Sequence, residues 1–251
     1  MIPNTFLELM NSGGLVVGLN RHVKRLDQGI KLLTDVGFKN LQRHFGVDGF
    51  KEPVYDILRS NNWKLMNAPI KNELGGIGFT LTTLFLWKKI IDENLPYLLI
   101  FEDDVLPHPQ IGVLGEEFWR ETPRDWDFLF LGSDMDCKVQ DKVVSIPCFC
   151  THAYLVSNKG AKRAFELIDK DHDGIDKADC QLIVWMNNNL IKWYCWNGNS
   201  VPKPYKTSKD SSISNEDNHI IWEEKGDGIF YQDYKLGTTI FREEVYYERI
   251  I

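Results

Sequence analysis

The chain has 251 residues, of which 43% are hydrophobic, 12% aromatic and 26% charged, a globular composition with room for one large α/β domain or two small ones. A net charge of −7 excludes a general polyanion binder, which would carry a basic surface, so no nucleic-acid partner is expected. No apolar run reaches the ~18 to 20 residues that span a bilayer, and no transmembrane segment is expected. The opening "MIPNTFLELMNSGG" lacks the basic start and long apolar core of a signal peptide. Five scattered cysteines, Cys137, Cys148, Cys150, Cys180 and Cys195, suit a reducing compartment better than a disulfide framework. A cytoplasmic protein is the expectation, with peripheral attachment to a membrane left open.

In chain order, "GGLVVGLN" (Gly13–Asn20) reads as a strand. A helix follows, with Val23, Leu26, Ile30 and Leu33 at helical spacing and Gly37 placed to end it. "LQRHFGV" is strand-like. The next helix is expected over Thr80–Asn94, where Leu81, Leu84, Phe85, Trp87, Ile90 and Ile91 make a broad apolar face. The strand "YLLIF" follows Pro96. "WDFLFLG" (Trp126–Gly132) and "HAYLVS" (His152–Ser157) are further apolar strands. "NKGAKRAFELI" and "KADCQLIVWMNNN" read as helices, and "IKWYCW" as a last strand. Continuous apolar strands alternating with helices imply a sheet covered on both faces. The expectation is a single domain over residues 1–251, with a core at about 14–200 and a loop-rich part at 201–251.

"YLLIFEDDV" delivers Glu102, Asp103 and Asp104 at the end of a buried strand. In open α/β sheets ligands collect at such carboxyl ends. Alternation along the strand lets Glu102 and Asp104 face one way and Asp103 the other. Two oxygen ligands facing one crevice suit Mg²⁺ or Mn²⁺. An exposed turn with solvated acids is the competing reading.

The stretch "GGIGFTLTTLFLWKKIIDENLPYLLIFEDDV" resembles the signature of glycosyltransferase family 25, which includes lipooligosaccharide and collagen galactosyltransferases. The blocks "VVGLNRHVKRLDQ", "FGVDG", "DWDFLFLG", "THAYLVSNKGAKRAF" and "ADCQLI" extend the likeness in the family's order over roughly residues 14–185. The resemblance implies a GT-A-like α/β domain with a mixed, mostly parallel central sheet flanked by helices. It also implies a nucleotide-sugar donor, most commonly UDP-galactose, and a divalent metal at an Asp-x-Asp-like site. On this resemblance Glu102 and Asp104 hold the metal, Mn²⁺ or Mg²⁺, with His219 as a later ligand. Asp103, Asn20, Arg21, Arg25 and His152 fall at the donor. The chain departs from the pattern at Thr82-Thr83, where members carry Ser-His, and at Phe79, where Cys is frequent.

An inverting transfer needs a carboxylate to take the acceptor hydroxyl's proton. The family's "V-D-x-x-L" Asp falls on Asp179, with Asp176 the alternative base or the N-cap of that helix. Arg25 contacts the diphosphate or packs on an acid; His152 is structural or lines the donor pocket; His219 is a ligand or a solvated loop residue. "DKDHDGIDKADC" opens like a calcium EF-hand, but Cys180 stands where a bidentate Glu is required, so an acidic loop before a helix is expected. Cys148, Cys150 and His152 alternate along an extended strand and splay ~7 Å per step, too wide for one zinc ion.

The sequence therefore points to a metal-dependent transferase moving a hexose from a UDP-sugar to a glycan or hydroxylated protein acceptor. The other classes are a degenerate glycan- or partner-binding fold and a Mg²⁺-dependent phosphoryl-transfer or hydrolytic enzyme. The second would need a phosphate loop, and no Walker-type glycine loop is present.

Overall fold

The computed structural model describes residues 1–66, 74–132, 139, 141–148, 151–171 and 174–197, together with the backbone of 230–232. A seven-stranded sheet is built from β1 (Gly14–Gly18), β2 (Leu41–Phe45), β3 (Tyr97–Glu102), β5 (Phe128–Phe130), β6 (Val143–Val144), β7 (Ala153–Ser157) and β8 (Trp193–Trp196), in the order β2-β1-β3-β7-β5-β8-β6. β1 is parallel to β2 and β3, and β5 to β8. β7 runs against both β3 and β5, and β6 against β8. Five strands thus point one way and two are reversed, a mixed and mostly parallel sheet as expected. A short second ladder pairs β4 (Val105–Pro107) with β9 (Phe230–Gln232).

Alternate residues of the same strand feed different cores, which is why the strands are apolar without interruption. Leu98, Ile100, Phe128, Phe130, Tyr154 and Val156 join α4 (Leu74–Asp92), α6 (Asn158–Lys170) and α7 (Ala178–Asn187). Leu99, Phe101, Leu129, Ala153 and Leu155 join α1 (Phe6–Ser12), α2 (Val23–Asp35) and α5 (Ile111–Glu121) on the other face. α3 (Val54–Ser60) packs Val54 and Leu58 on Ile77 and Leu81 of α4.

Local signals set the ends of these elements. α2 stops in a Schellman motif, with Phe38 N–H donating to the Leu33 carbonyl and Gly37 N–H to Thr34. Gly37 sits at φ +109°, where a side chain would be strained. Ser157 caps α6 by accepting from Gly160 N–H at 2.9 Å. α4 extends N-terminal of the expected Thr80, through the glycine-rich "GGIG". There Gly78 lies against the 47–49 turn, and a Cβ on it would sit 2.8 Å from the Gly49 nitrogen. α4 is also long and apolar enough, by length and composition, to cross a membrane. Ten of its residues are buried in this fold, so it serves here as the central core helix.

Candidate functional site at the end of the third strand

The parity that sorts the β3 side chains carries past its end. Glu102 continues the Leu98 and Ile100 series on the α4 and α7 face, and Asp103 continues Leu99 and Phe101 toward α2. The strand closes at Glu102, whose N–H donates to the His152 carbonyl at 2.9 Å. The chain turns after it, leaving Asp103 and Asp104 buried.

The positive charge that answers them comes from the first turn of α2. Arg25 bonds Asp103 and lies 3.8 Å from Asp104. Burial works against its charge, and the pair with Asp103 more than offsets this, raising its guanidinium above its ordinary value. Glu102 instead accepts from the Thr151 hydroxyl at 2.6 Å. Burial, then Asp104, Asp103 and Asp179, push its carboxyl up to about 8, with the Thr151 hydrogen bond partly opposing. Glu102 thus feels three other carboxylates, two of which, Asp103 and Asp104, lie beside Arg25.

Asp179 enters from the first turn of α7, where its Oδ1 accepts from Cys180 N–H at 2.9 Å. That start is held from across the core, because Ala178 N–H donates to Thr80 Oγ1 of α4 at 3.1 Å. Asp176 is not the N-cap. The helix begins at Ala178 with Lys177 in the cap position, and Asp176 turns its Oδ1 onto Lys177 N–H at 2.7 Å. Gln181 reaches back to Asp176 N–H at 3.0 Å. The loop before it is tied to Leu65 through a parallel bridge at Ile175.

Of the remaining expected site residues, Arg21 makes a bidentate pair with Asp48 at 3.0 and 2.9 Å and donates from Nε to His22. Asn20 is exposed in the turn before α2. His152 is fully buried and joins the site through its carbonyl. His219, Cys150 and Asp173 lie outside the described residues. Thr82 Oγ1 donates to the Gly78 carbonyl and accepts from Val47 N–H, so this departure from the family pattern is absorbed in packing the "VDG" turn. Cys148 lies against Cys195.

Asp48, Thr151 and Thr80 are site-shaping residues to which sequence reasoning assigned no role. The first two stand inside quoted blocks, "FGVDG" and "THAY", so the signal was present. Thr80 also lies in a quoted block, "GGIGFTLTTLFLWKKIIDENLPYLLIFEDDV", but nothing local marks its role, because its partner is 98 residues away.

Among the described residues, no three His, Cys, Asp or Glu side chains are grouped to hold a metal. The donor set at Glu102 and Asp104 nevertheless fits a hard divalent cation. It offers only oxygens, and the crowding that raises Glu102 is what an added positive charge relieves.

Residues 60–149 match the family model described as glycosyltransferase family 25 (LPS biosynthesis protein). The matched segment carries α4, β3 and the three carboxylates; Arg25, Thr151 and Asp179 fall outside it. No curated protein matches the chain. Among solved structures it is similar to the glycosyltransferase GlyE of Streptococcus pneumoniae TIGR4, with 11% identity, a TM-score of 0.40, and coverage of 74% of this chain and 45% of that one. It is also similar to mouse xyloside xylosyltransferase 1 in its apo form, with 13% identity, a TM-score of 0.35, and coverage of 71% and 69%. The chain thus spans less than half the length of the GlyE structure.

Proposed function

We propose that this chain, a glycosyltransferase by its family 25 match over residues 60–149, moves a hexose from a UDP-sugar to a hydroxyl of a glycan or protein side chain. The observation that carries this reading is the clustering of Glu102 with the buried Asp103 and Asp104 at the carboxyl end of β3, with Arg25 on Asp103 and 3.8 Å from Asp104 and the charge of Asp179 felt at Glu102. Glu102 and Asp104 would hold a divalent cation, Mn²⁺ or Mg²⁺. When bound, it supplies neutralisation of the charge that develops on the departing diphosphate.

The chain's own residues do the rest. Thr151 orients Glu102 through its hydroxyl. Arg25 holds Asp103 beside α2 and lies 3.8 Å from Asp104. Asp179 takes the proton of the acceptor hydroxyl as that oxygen attacks the anomeric carbon from the side opposite the leaving group, which inverts the configuration. Its seat on the first turn of α7, anchored by Thr80, fixes where that carboxylate stands.

Incubation with a panel of nucleotide sugars and Mn²⁺, with free nucleotide measured from slow donor hydrolysis, tests donor, metal and activity together. UDP release that stops in EDTA is the expected result. Tight UDP binding by calorimetry without any release would favour the degenerate binding protein. Release of phosphate from simple phosphoesters would favour the phosphoryl-transfer class.

A further inference from the structure

We propose that Cys148 and Cys195 are a disulfide-forming pair, a covalent modification site that ties the segment after β6 to β8. Cys195 is the third residue of β8, opposite Val144 of β6 in the antiparallel ladder. Beyond β6 the chain stays on β8. Ser145 Oγ donates to the Trp193 carbonyl at 2.6 Å, and Trp193 Nε1 donates to the Ile146 carbonyl at 3.4 Å. The Cys195 sulfur lies 3.6 Å from the same Ile146 oxygen. This strap brings Cys148 back over the strand, its Sγ 2.7 Å from the Cys195 Sγ. Two sulfurs held so close are inside ordinary non-bonded contact, and bond formation needs only a small approach.

Both side chains are buried in the same apolar cluster, at 4% and 0% exposure. Each is therefore shielded from other thiols and presented to its neighbour. The sheet register fixes one partner, and the strap's hydrogen bonds bring the other to it.

The chemistry is thiol–disulfide exchange with a small disulfide such as oxidised glutathione. One thiolate attacks that reagent, forms a mixed disulfide and releases the first glutathione thiol. The second thiolate then attacks the protein sulfur of the mixed disulfide and releases the second. The protein pair loses two electrons and two protons, and the reagent gains both. Burial makes the first attack wait on local opening of the strap. The closed loop contains β7, α6 and α7, so it includes Thr151 and Asp179 while leaving both side chains unmodified. Cross-linking a loop of this length restricts the unfolded chain and raises the melting temperature.

The test uses the full chain and does not depend on its being a transferase. The protein is incubated with oxidised glutathione or with dithiothreitol, alkylated in denaturant and digested for peptide mass spectrometry. A Cys148–Cys195 cross-linked peptide is expected only in the oxidised sample, together with a melting temperature roughly 5 °C or more higher. That difference should vanish in Cys148→Ala and in Cys195→Ala. Full alkylation of both cysteines after oxidation would overturn the proposal, as would a cross-link of Cys195 to Cys137, Cys150 or Cys180. The peptide readout is made on the unaltered chain, so poor folding of either variant leaves it decisive.

Discussion

Arg25 reaches back from α2 to lie on Asp103 and within 3.8 Å of Asp104, so an arginine already stands beside the acids that would hold a cation. Arg25→Met should lower the melting temperature of the metal-free protein by roughly 5 °C or more, because it strips buried carboxylates of their partner. Mn²⁺ at 1 mM should then restore more in the variant than it adds to the unaltered chain. Equal metal shifts in both would show that the carboxylates do not bind the ion. Glu102 gives a pH signature. Its folded value of about 8 stands above its ordinary 4.5, so between those values the folded chain keeps a proton that the unfolded chain has lost. The Glu102 contribution to the stability of the metal-free protein should therefore fall as pH rises from about 4.5 to 8 and level off above. Glu102→Gln, which still accepts from Thr151, should flatten that window in melting curves taken in EDTA; parallel curves would refute the assignment. In the proposed function Asp179 serves the chemistry rather than donor binding. Asp179→Asn should reduce transfer by ~10²-fold or more and leave donor affinity nearly intact. Loss of donor affinity with turnover preserved would move it into the binding site.

Elements with long periodic faces or sharp caps were readable, and short ones were not. α2 announced itself through Leu26, Ile30 and Leu33 and its Gly37 stop, and α6 was read from "NKGAKRAFELI", its Ser157 cap emerging only in the structure. α1 has only seven residues, yet it carries a Thr5-x-x-Glu8 start in which Thr5 accepts from Glu8 N–H; that signal was passed over when the segment was examined as a leader. α5 has no side-chain cap, and β6 has two residues, too few to show a period. The start of α7 was misplaced by one residue because its N–H partner comes from α4, not from the local Asp176. That long-range cap makes a prediction for the element. Thr80→Val leaves the Ala178 N–H unsatisfied and should lower the melting temperature by roughly 2–8 °C, with Thr80→Ser restoring most of it. A variant that melts with the parent would mean that the α7 start needs no help from α4.

At the scale of the molecule, two apolar faces on one sheet could be inferred from unbroken strands, and the carboxyl-end site from the position of "EDD". What could not be inferred was which charges would meet, since Arg25, Thr151 and Asp179 arrive from three separate parts of the chain. The calcium lookalike at 169–180 gives a whole-molecule test. Asp171 stands at the C-terminal cap of α6, and Ile175 is bridged to Leu65. With no bidentate Glu in position twelve, Ca²⁺ at 1 mM should shift the melting temperature by less than ~1 °C. Mn²⁺ with UDP should shift it by several degrees. A large Ca²⁺ shift abolished by Asp171→Ala, and untouched by Asp104→Asn, would reverse that ranking.

The reversed direction of β7 constrains how this chain can vary. β7 begins just after His152, beside the point where β3 finishes, and pairs residue for residue with β3 on one side and β5 on the other. Thr151 therefore meets Glu102 only because an incoming strand and an outgoing strand are matched in length. Inserting or deleting one residue between Ala153 and Ser157 would turn the side chains on one side of the change to the opposite face, so either Thr151 leaves its acid or Ser157 leaves the α6 cap. Descendants of this sequence can change the letters of β7 but not their number, so length differences should collect in the loops beyond the sheet, and alignments gapped within 153–157 should be mistrusted.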